Sequence, residues 1–161
     1  VNGIALKWRK ARVGGRAVGV PGTLHLLHTA HDLFGVKSWA NLLEPTIALA
    51  TGGFPVSPRL AQSIAGAADR GLRQFSAARQ YFFDAHGKPL KAGFILRNPA
   101  LANALRKIAQ EGIEPFYQGP IASRLVKALE NTSELPALMT HKDLSEYRTI
   151  LRPPICAPYR G

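Results

Sequence analysis

A proline placed directly behind a capping side chain occurs twice in this chain, at Ser57–Pro58 and Asn98–Pro99. The pairing commits each following stretch to a helix. Ser and Asn accept a hydrogen bond from a first-turn amide, and proline fits the first helical position because the N–H it lacks would have no partner there. Behind Pro58 the apolar residues Leu60, Ile64, Ala67 and Ala68 recur at helical spacing; behind Pro99, Leu101, Ala104, Leu105 and Ile108 do the same. Arg106 and Lys107 fall toward the end of that second helix, and Gly112 supplies its stop.

The same punctuation organises the rest. From Thr23 to Phe34, the residues Leu24, Leu27 and Phe34 share a face with His31, and Gly35 is placed to end the helix. Trp39, Leu42, Leu43, Thr46, Ile47 and Ala50 form the next stripe, with Ser38 as N-cap and Gly52 after the end; Pro45 is expected to kink or split it. After Pro115, the residues Ile121, Ala122, Leu125, Val126 and Leu129 mark another helix. Thr140 and Asp143 have capping-box spacing and predict a short helix through Tyr147.

The two ends differ. Ile4 to Val13 mixes β-prone and basic residues before Gly14 and Gly15, which predicts a strand or hairpin arm entering a loop. Thr149 to Arg160 is extended in flavour but holds Pro153, Pro154 and Pro158, so it is an edge strand or a connector. The expected fold class is mainly α with short extended or β ends. Residues 1–22 form an extended basic arm and loop, 23–147 a helical array, and 148–161 an extended connector. With 161 residues, 46% apolar and 19% charged, the chain is of a size for a single core. No run approaches the ~20 apolar residues that a membrane span needs. One cysteine, Cys156, excludes an internal disulfide framework.

The net charge of +11 would suit a polyanion, and Lys7, Arg9, Lys10, Arg12 and Arg16 crowd the first sixteen positions around Trp8. A basic helical module for nucleic acid is therefore an alternative. The remaining cations are spread through helical segments, as solvated faces usually are.

No complete catalytic site can be assembled. His25, His28 and His31 are spaced like metal ligands on a helix surface, but six residues turn His31 about 120° away from His25. No carboxylate or cysteine is expected at a ligand spacing beside them. Cys156 lies between prolines in an extended arm and has no adjacent base. Gly14, Gly15, Gly19 and Gly22 match neither the dinucleotide fingerprint nor the P-loop, because Gly19 is followed by Val20, and they predict a turn-rich connector. Glu44, Asp69, Asp84, Glu111, Glu114 and Asp143 include no pair arguable as acid and base.

As connected text, the segments resemble the γ-glutamyltranspeptidase family, specifically the middle of its large-subunit region. The carriers are Gly14 to Thr23 (GGRAVGVPGT), Trp39 to Ala50 with Glu44, Pro45 and Ile47, and Gly53 to Leu60 (GFPVSPRL). Then come Leu96 to Leu105 (LRNPALANAL), Ile108 to Gly112 with Phe116, Tyr117 and Gly119, Leu138 to Tyr147 (LMTHKDLSEY), and Tyr159 to Gly161. The likeness runs from Gly14 to Gly161, with Ser63 to Phe82 a variable stretch.

The resemblance implies a piece of an αββα N-terminal-nucleophile hydrolase. Its precursor cuts itself and exposes a threonine whose own α-amino group is the general base. The family transfers the γ-glutamyl group of glutathione and related amides to water, an amino acid or a peptide, through an ester on that threonine. By the resemblance, the threonine lies beyond Gly161 and the arginine for the substrate α-carboxylate lies before Val1. No catalytic, substrate-binding, cofactor-binding or metal residue is thus expected here, and no cofactor. The implied partners are the rest of the large subunit and the small subunit, with a periplasmic or extracellular setting. Cephalosporin acylases share the architecture. A catalytically inactive scaffold homologue is a further alternative. The chain alone is expected to be inactive and to self-associate through faces that the remainder would cover.

Overall fold

The computed structural model describes residues 8–11, 14–131 and 138–160. The described chain is mainly helical, and its residues cluster into two compact units, one formed by Val1–Trp39 with Glu111–Gly161 and the other by Ala40–Gln110. Among the described residues, no helix is long and apolar enough to cross a membrane.

In the first unit, Trp8–Ala11 form one helical turn, α1, where the sequence predicts an extended arm. Arg, Lys and Ala are good helix formers, and no strand among the described residues of the unit offers them a ladder. The rest of that arm, residues 1–7 together with Arg12 and Val13, lies outside the described residues. Next come α2 (Thr23–Phe34), α7 (Glu114–Tyr117), α8 (Pro120–Glu130) and α9 (His141–Ser145). Their core joins Tyr117, Ala122, Val126 and Leu144, with Val20, Leu24, Met139 and Tyr147 packed against it. Ala122, Val126 and Leu129 are buried along α8 as its periodicity predicts. The capping box forms as expected: Thr140 Oγ1 accepts from Asp143 N–H at 3.3 Å while Asp143 Oδ2 accepts from Thr140 N–H at 2.7 Å. The helix stops at Ser145, short of Tyr147.

The α2 face departs from its expectation as well. The α2 stripe is not a buried face, because Leu24 is half-buried but Leu27 and Phe34 are 54% and 81% exposed. Periodicity marks a face that could be covered, and among the described residues Leu27 and Phe34 stay largely uncovered. Of the two readings of Thr149 to Arg160, edge strand or connector, the strand does not form, since three prolines deny the segment ladder donors; Gly161 lies outside the described residues.

The second unit holds α3 (Trp39–Gly52, starting at the boundary), α4 (Pro58–Asp69), α5 (Ser76–Phe82) and α6 (Pro99–Glu111). Both Pro-started helices begin as the sequence dictates: Ser57 Oγ accepts from Leu60 N–H at 3.1 Å, and Asn98 Oδ1 from Leu101 N–H at 3.0 Å. Gly112, at φ 76°, follows α6 in the left-handed region that a non-glycine residue rarely adopts. Pro45 does not split α3, which runs through it. Proline removes one intrahelical bond, and burial of Ile47 and Ala50 just beyond it holds the second half in place. α5 lies in the stretch read only as variable.

The two-stranded sheet among the described residues is interior, not terminal: β1 (Phe54–Pro55) runs antiparallel to β2 (Ile95–Leu96), with Phe54 opposite Leu96. It was hidden because two-residue strands carry no alternation to read. Val56, Ile64, Leu90 and Leu96 form the core beneath the pair, covered by Phe54, Leu60 and Phe82.

Candidate functional site

The densest polar constellation in the first unit gathers at the start of α2. Gly22 occupies the N-cap position and has no side chain to satisfy the first-turn amides. The buried Tyr117 supplies that role from 92 residues away, its Oη accepting the His25 N–H at 3.1 Å. The same hydroxyl donates to the Pro21 carbonyl at 2.6 Å, so one group satisfies a donor and an acceptor at the helix entry. Desolvation holds the Tyr117 phenol above the usual tyrosine range, while the His25 N–H it accepts pulls the other way.

The identity of residue 22 follows from its neighbour. A Cβ built there would overlap Tyr147 Oη and lie 2.7 Å from Tyr147 Cζ. Tyr147 stacks on Tyr117 with ring centroids 6.1 Å apart and an interplanar angle of 7°. The His25 ring meets both tyrosines edge-on at 5.6 and 5.7 Å.

His25 Nδ1 also lies 3.0 Å from Thr149 Oγ1 and 3.2 Å from Thr29 Oγ1. A threonine hydroxyl beside an imidazole is the pairing from which an activated nucleophile is made. Such a pair needs a third group to orient the base, and among the described residues no carboxylate pairs with His25. A single ring nitrogen is also shared between two hydroxyls. The chemistry left to the cluster is positional: it fastens α2 to Tyr117 and to the residues that follow α9.

The histidines therefore part company. His28 Nδ1 reaches Asp32 Oδ2 at 3.0 Å, and His31 Nε2 meets the Lys37 carbonyl at 2.7 Å, both rings packing near Trp39. Asp32 corrects the expectation that no carboxylate stands beside them, because residues four apart are neighbours on a helix. Even so, no group of three His, Cys, Asp or Glu among the described residues could hold a metal ion. Of the glycines, Gly14 and Gly15 form a tight turn whose carbonyls accept Ala17 N–H and Val18 N–H, each at 3.2 Å. Those amides are not free to cradle a phosphate. Cys156 is exposed in the irregular C-terminal stretch.

Among the described residues, several arginines are engaged locally. Arg73 donates to the Gly87 carbonyl at 2.6 Å and lies 4.8 Å over the Phe83 ring, while Arg79 and Arg148 donate to backbone carbonyls. Trp8 is exposed, and the side chains of Arg9 and Lys10, with Lys7 and Arg12, are outside the described residues. Sequence reasoning missed the Tyr117, His25 and Thr149 cluster altogether. Its only local trace is a glycine where a helix would ordinarily place a capping side chain.

Comparison with known proteins gives a consistent answer. The family model described as gamma-glutamyltranspeptidase matches residues 3–161. The glutathione hydrolase proenzyme of Bacillus subtilis (strain 168) is 36% identical over 160 residues, covering 99% of this chain and 26% of the relative. The crystal structure of Helicobacter pylori gamma-glutamyltranspeptidase superposes with a TM-score of 0.89 at 29% identity, over 97% of this chain and 44% of that one. A cephalosporin acylase from Bacillus halodurans is also similar, with a TM-score of 0.77 at 29% identity over 89% of this chain and 27% of that one. The chain spans about a quarter of the length of the curated relatives it matches.

Proposed function

The chain belongs to the gamma-glutamyltranspeptidase family, and from that premise we propose that it is part of a γ-glutamyl-transferring N-terminal-nucleophile hydrolase and supplies architecture, not chemistry. The observation that carries this is the mismatch in coverage: 99% of the chain aligns with only 26% of a glutathione hydrolase proenzyme. The described residues agree, since the Thr–His contacts of His25 with Thr149 and Thr29 are spent on holding α2.

In the proposed parent, an αββα sandwich, a threonine outside residues 1–161 attacks the γ-carbonyl of glutathione or a related amide. The C–N bond breaks, the threonine α-amino group passes the hydroxyl proton to the departing amine, and water or an acceptor amine then cleaves the γ-glutamyl ester. The helices described here would be covered on their exposed faces by the rest of the large subunit and by the small subunit. Phe34, Val36 and Ile155, at 81%, 99% and 100% exposure, are where such cover or self-association would begin. Likeness to both a γ-glutamyltranspeptidase and a cephalosporin acylase leaves the acyl group broader than γ-glutamyl.

The test is turnover of a chromogenic γ-glutamyl anilide by the purified chain. None above the uncatalysed rate is expected; saturable release of the anilide, lost in Thr149→Ala, would overturn the reading and make the His25 pair a catalytic one.

A further inference from the structure

Within the Ala40–Gln110 unit, a groove of about 560 Å³ opens between α3 and α6, lined by Glu44, Ile47 and Thr51 on one side and Arg106, Ala109 and Gln110 on the other. α6 starts against the end of α3, where Asn98 N–H donates to the Ala50 carbonyl at 2.8 Å. We propose that this groove binds a short peptide with free termini, a di- or tripeptide, its carboxylate on Arg106 and its ammonium on Glu44.

Arg106 carries the first half. Its Nη2 donates to Thr51 Oγ1 at 2.9 Å and its Nη1 to Asn103 Oδ1 at 2.8 Å. Both acceptors are neutral, so they orient the guanidinium without neutralising it. Among the described residues no carboxylate comes within ion-pair distance of it. A guanidinium has five N–H donors, and a planar fork with donors to spare is the group that grips a carboxylate in two parallel hydrogen bonds.

Glu44 carries the second half. It lines the same groove and likewise forms no ion pair among the described residues. On α3 it precedes Thr51, the residue holding Arg106, by seven positions, which is about 10 Å of helical rise. A simple anion on Arg106 would therefore share the groove with a carboxylate, whereas a ligand carrying both charges satisfies both walls. The spacing selects its length. A residue spans about 3.5 Å of extended chain, so two or three residues separate ammonium and carboxylate by roughly 7–10 Å. A free amino acid, with its charges on one carbon, reaches only one wall at a time. The buried Ile47 and the methyl of Ala109 give the peptide an apolar floor, and the Gln110 amide offers a donor and an acceptor to a peptide unit.

The experiment is calorimetric titration of the whole chain with dialanine and trialanine, and with free alanine, N-acetyl-dialanine, dialanine amide and sulfate as separate arms. Peptide binding is expected to exceed that of free alanine, and either blocked peptide to bind about ten-fold or more weakly. Arg106→Gln should reproduce the loss seen with the amide, and Glu44→Gln the loss seen with the acetyl group. Arg106 and Glu44 are both exposed, so neither change disturbs a core, and unaltered far-UV circular dichroism checks it. Arg106→Lys, which keeps the charge and loses the fork, should fall between wild type and Arg106→Gln. Absence of dialanine and trialanine binding in the folded wild type, equal binding of free alanine, equal binding of sulfate, or peptide affinity unchanged in Arg106→Gln would each overturn the assignment.

Discussion

Tyr117 Oη donates to the Pro21 carbonyl at 2.6 Å and, through the same oxygen, accepts the His25 N–H at 3.1 Å, so it caps a helix that begins 94 positions earlier, at Thr23. Tyr117→Phe keeps the ring and its stacking on Tyr147 but strands both backbone groups. The expected cost is about 1–3 kcal/mol, read as a lower urea midpoint at unchanged slope. The wild type should also lose stability in alkali. Burial raises the folded-state value above that of the unfolded chain, so the folded form holds its proton longer. The contribution is complete below the ordinary tyrosine value of about 10 and is lost as pH rises through the raised one. Tyr117→Phe should flatten that part of the profile; an unchanged alkaline slope would show that the phenol does not carry it.

Gly22 and Gly19 form a matched pair for substitution. A Cβ at Gly19 meets nothing within 4 Å, whereas one at Gly22 would lie 2.7 Å from Tyr147 Cζ. The Tyr147 ring cannot swing aside without leaving its stack on Tyr117. Gly22→Ala is expected to destabilise by about 1–3 kcal/mol and Gly19→Ala to change stability by less than about 0.5 kcal/mol. Equal midpoints for the two variants would remove the steric reason for glycine at the start of α2.

What was legible in the sequence was whatever is decided within one turn. Ser57 with Pro58, Asn98 with Pro99, and Thr140 with Asp143 each complete their hydrogen bonds inside three residues, so their helices could be read directly. Periodicity did less for α2. Leu27 and Phe34 announce a face but not its cover, and in this unit the face stays open. Spacing does not say what covers it, and the chain aligns with only about a quarter of its relatives' length. The interior β-pair and the Tyr117 cap join residues that are 42 and 92 positions apart, from Phe54 to Leu96 and from His25 to Tyr117. Neither leaves a local pattern. Arg106 was read only as a cation near a helix end, since its place beside Thr51 depends on how α6 starts against α3.

The capping box of α9 provides a separable acid response. Asp143 is held below the usual carboxylate range first by the Thr140 hydroxyl at 2.7 Å, then by the Thr140 N–H, also at 2.7 Å, with a smaller contribution from Lys142. The folded state therefore binds this proton less readily than the unfolded chain. Its contribution is present above the ordinary carboxylate value and is lost as pH falls through the lowered one. Asp84, which accepts Lys88 N–H and His86 N–H, is lowered too and supplies a background common to wild type and variant. Asp143→Asn keeps the size and one acceptor but removes the charge. Urea unfolding of wild type and Asp143→Asn is expected to show a constant stability gap near neutral pH that narrows below about pH 4. Profiles that stay parallel to about pH 2.5, where the protein still unfolds cooperatively, would mean that the box works by hydrogen-bond geometry alone.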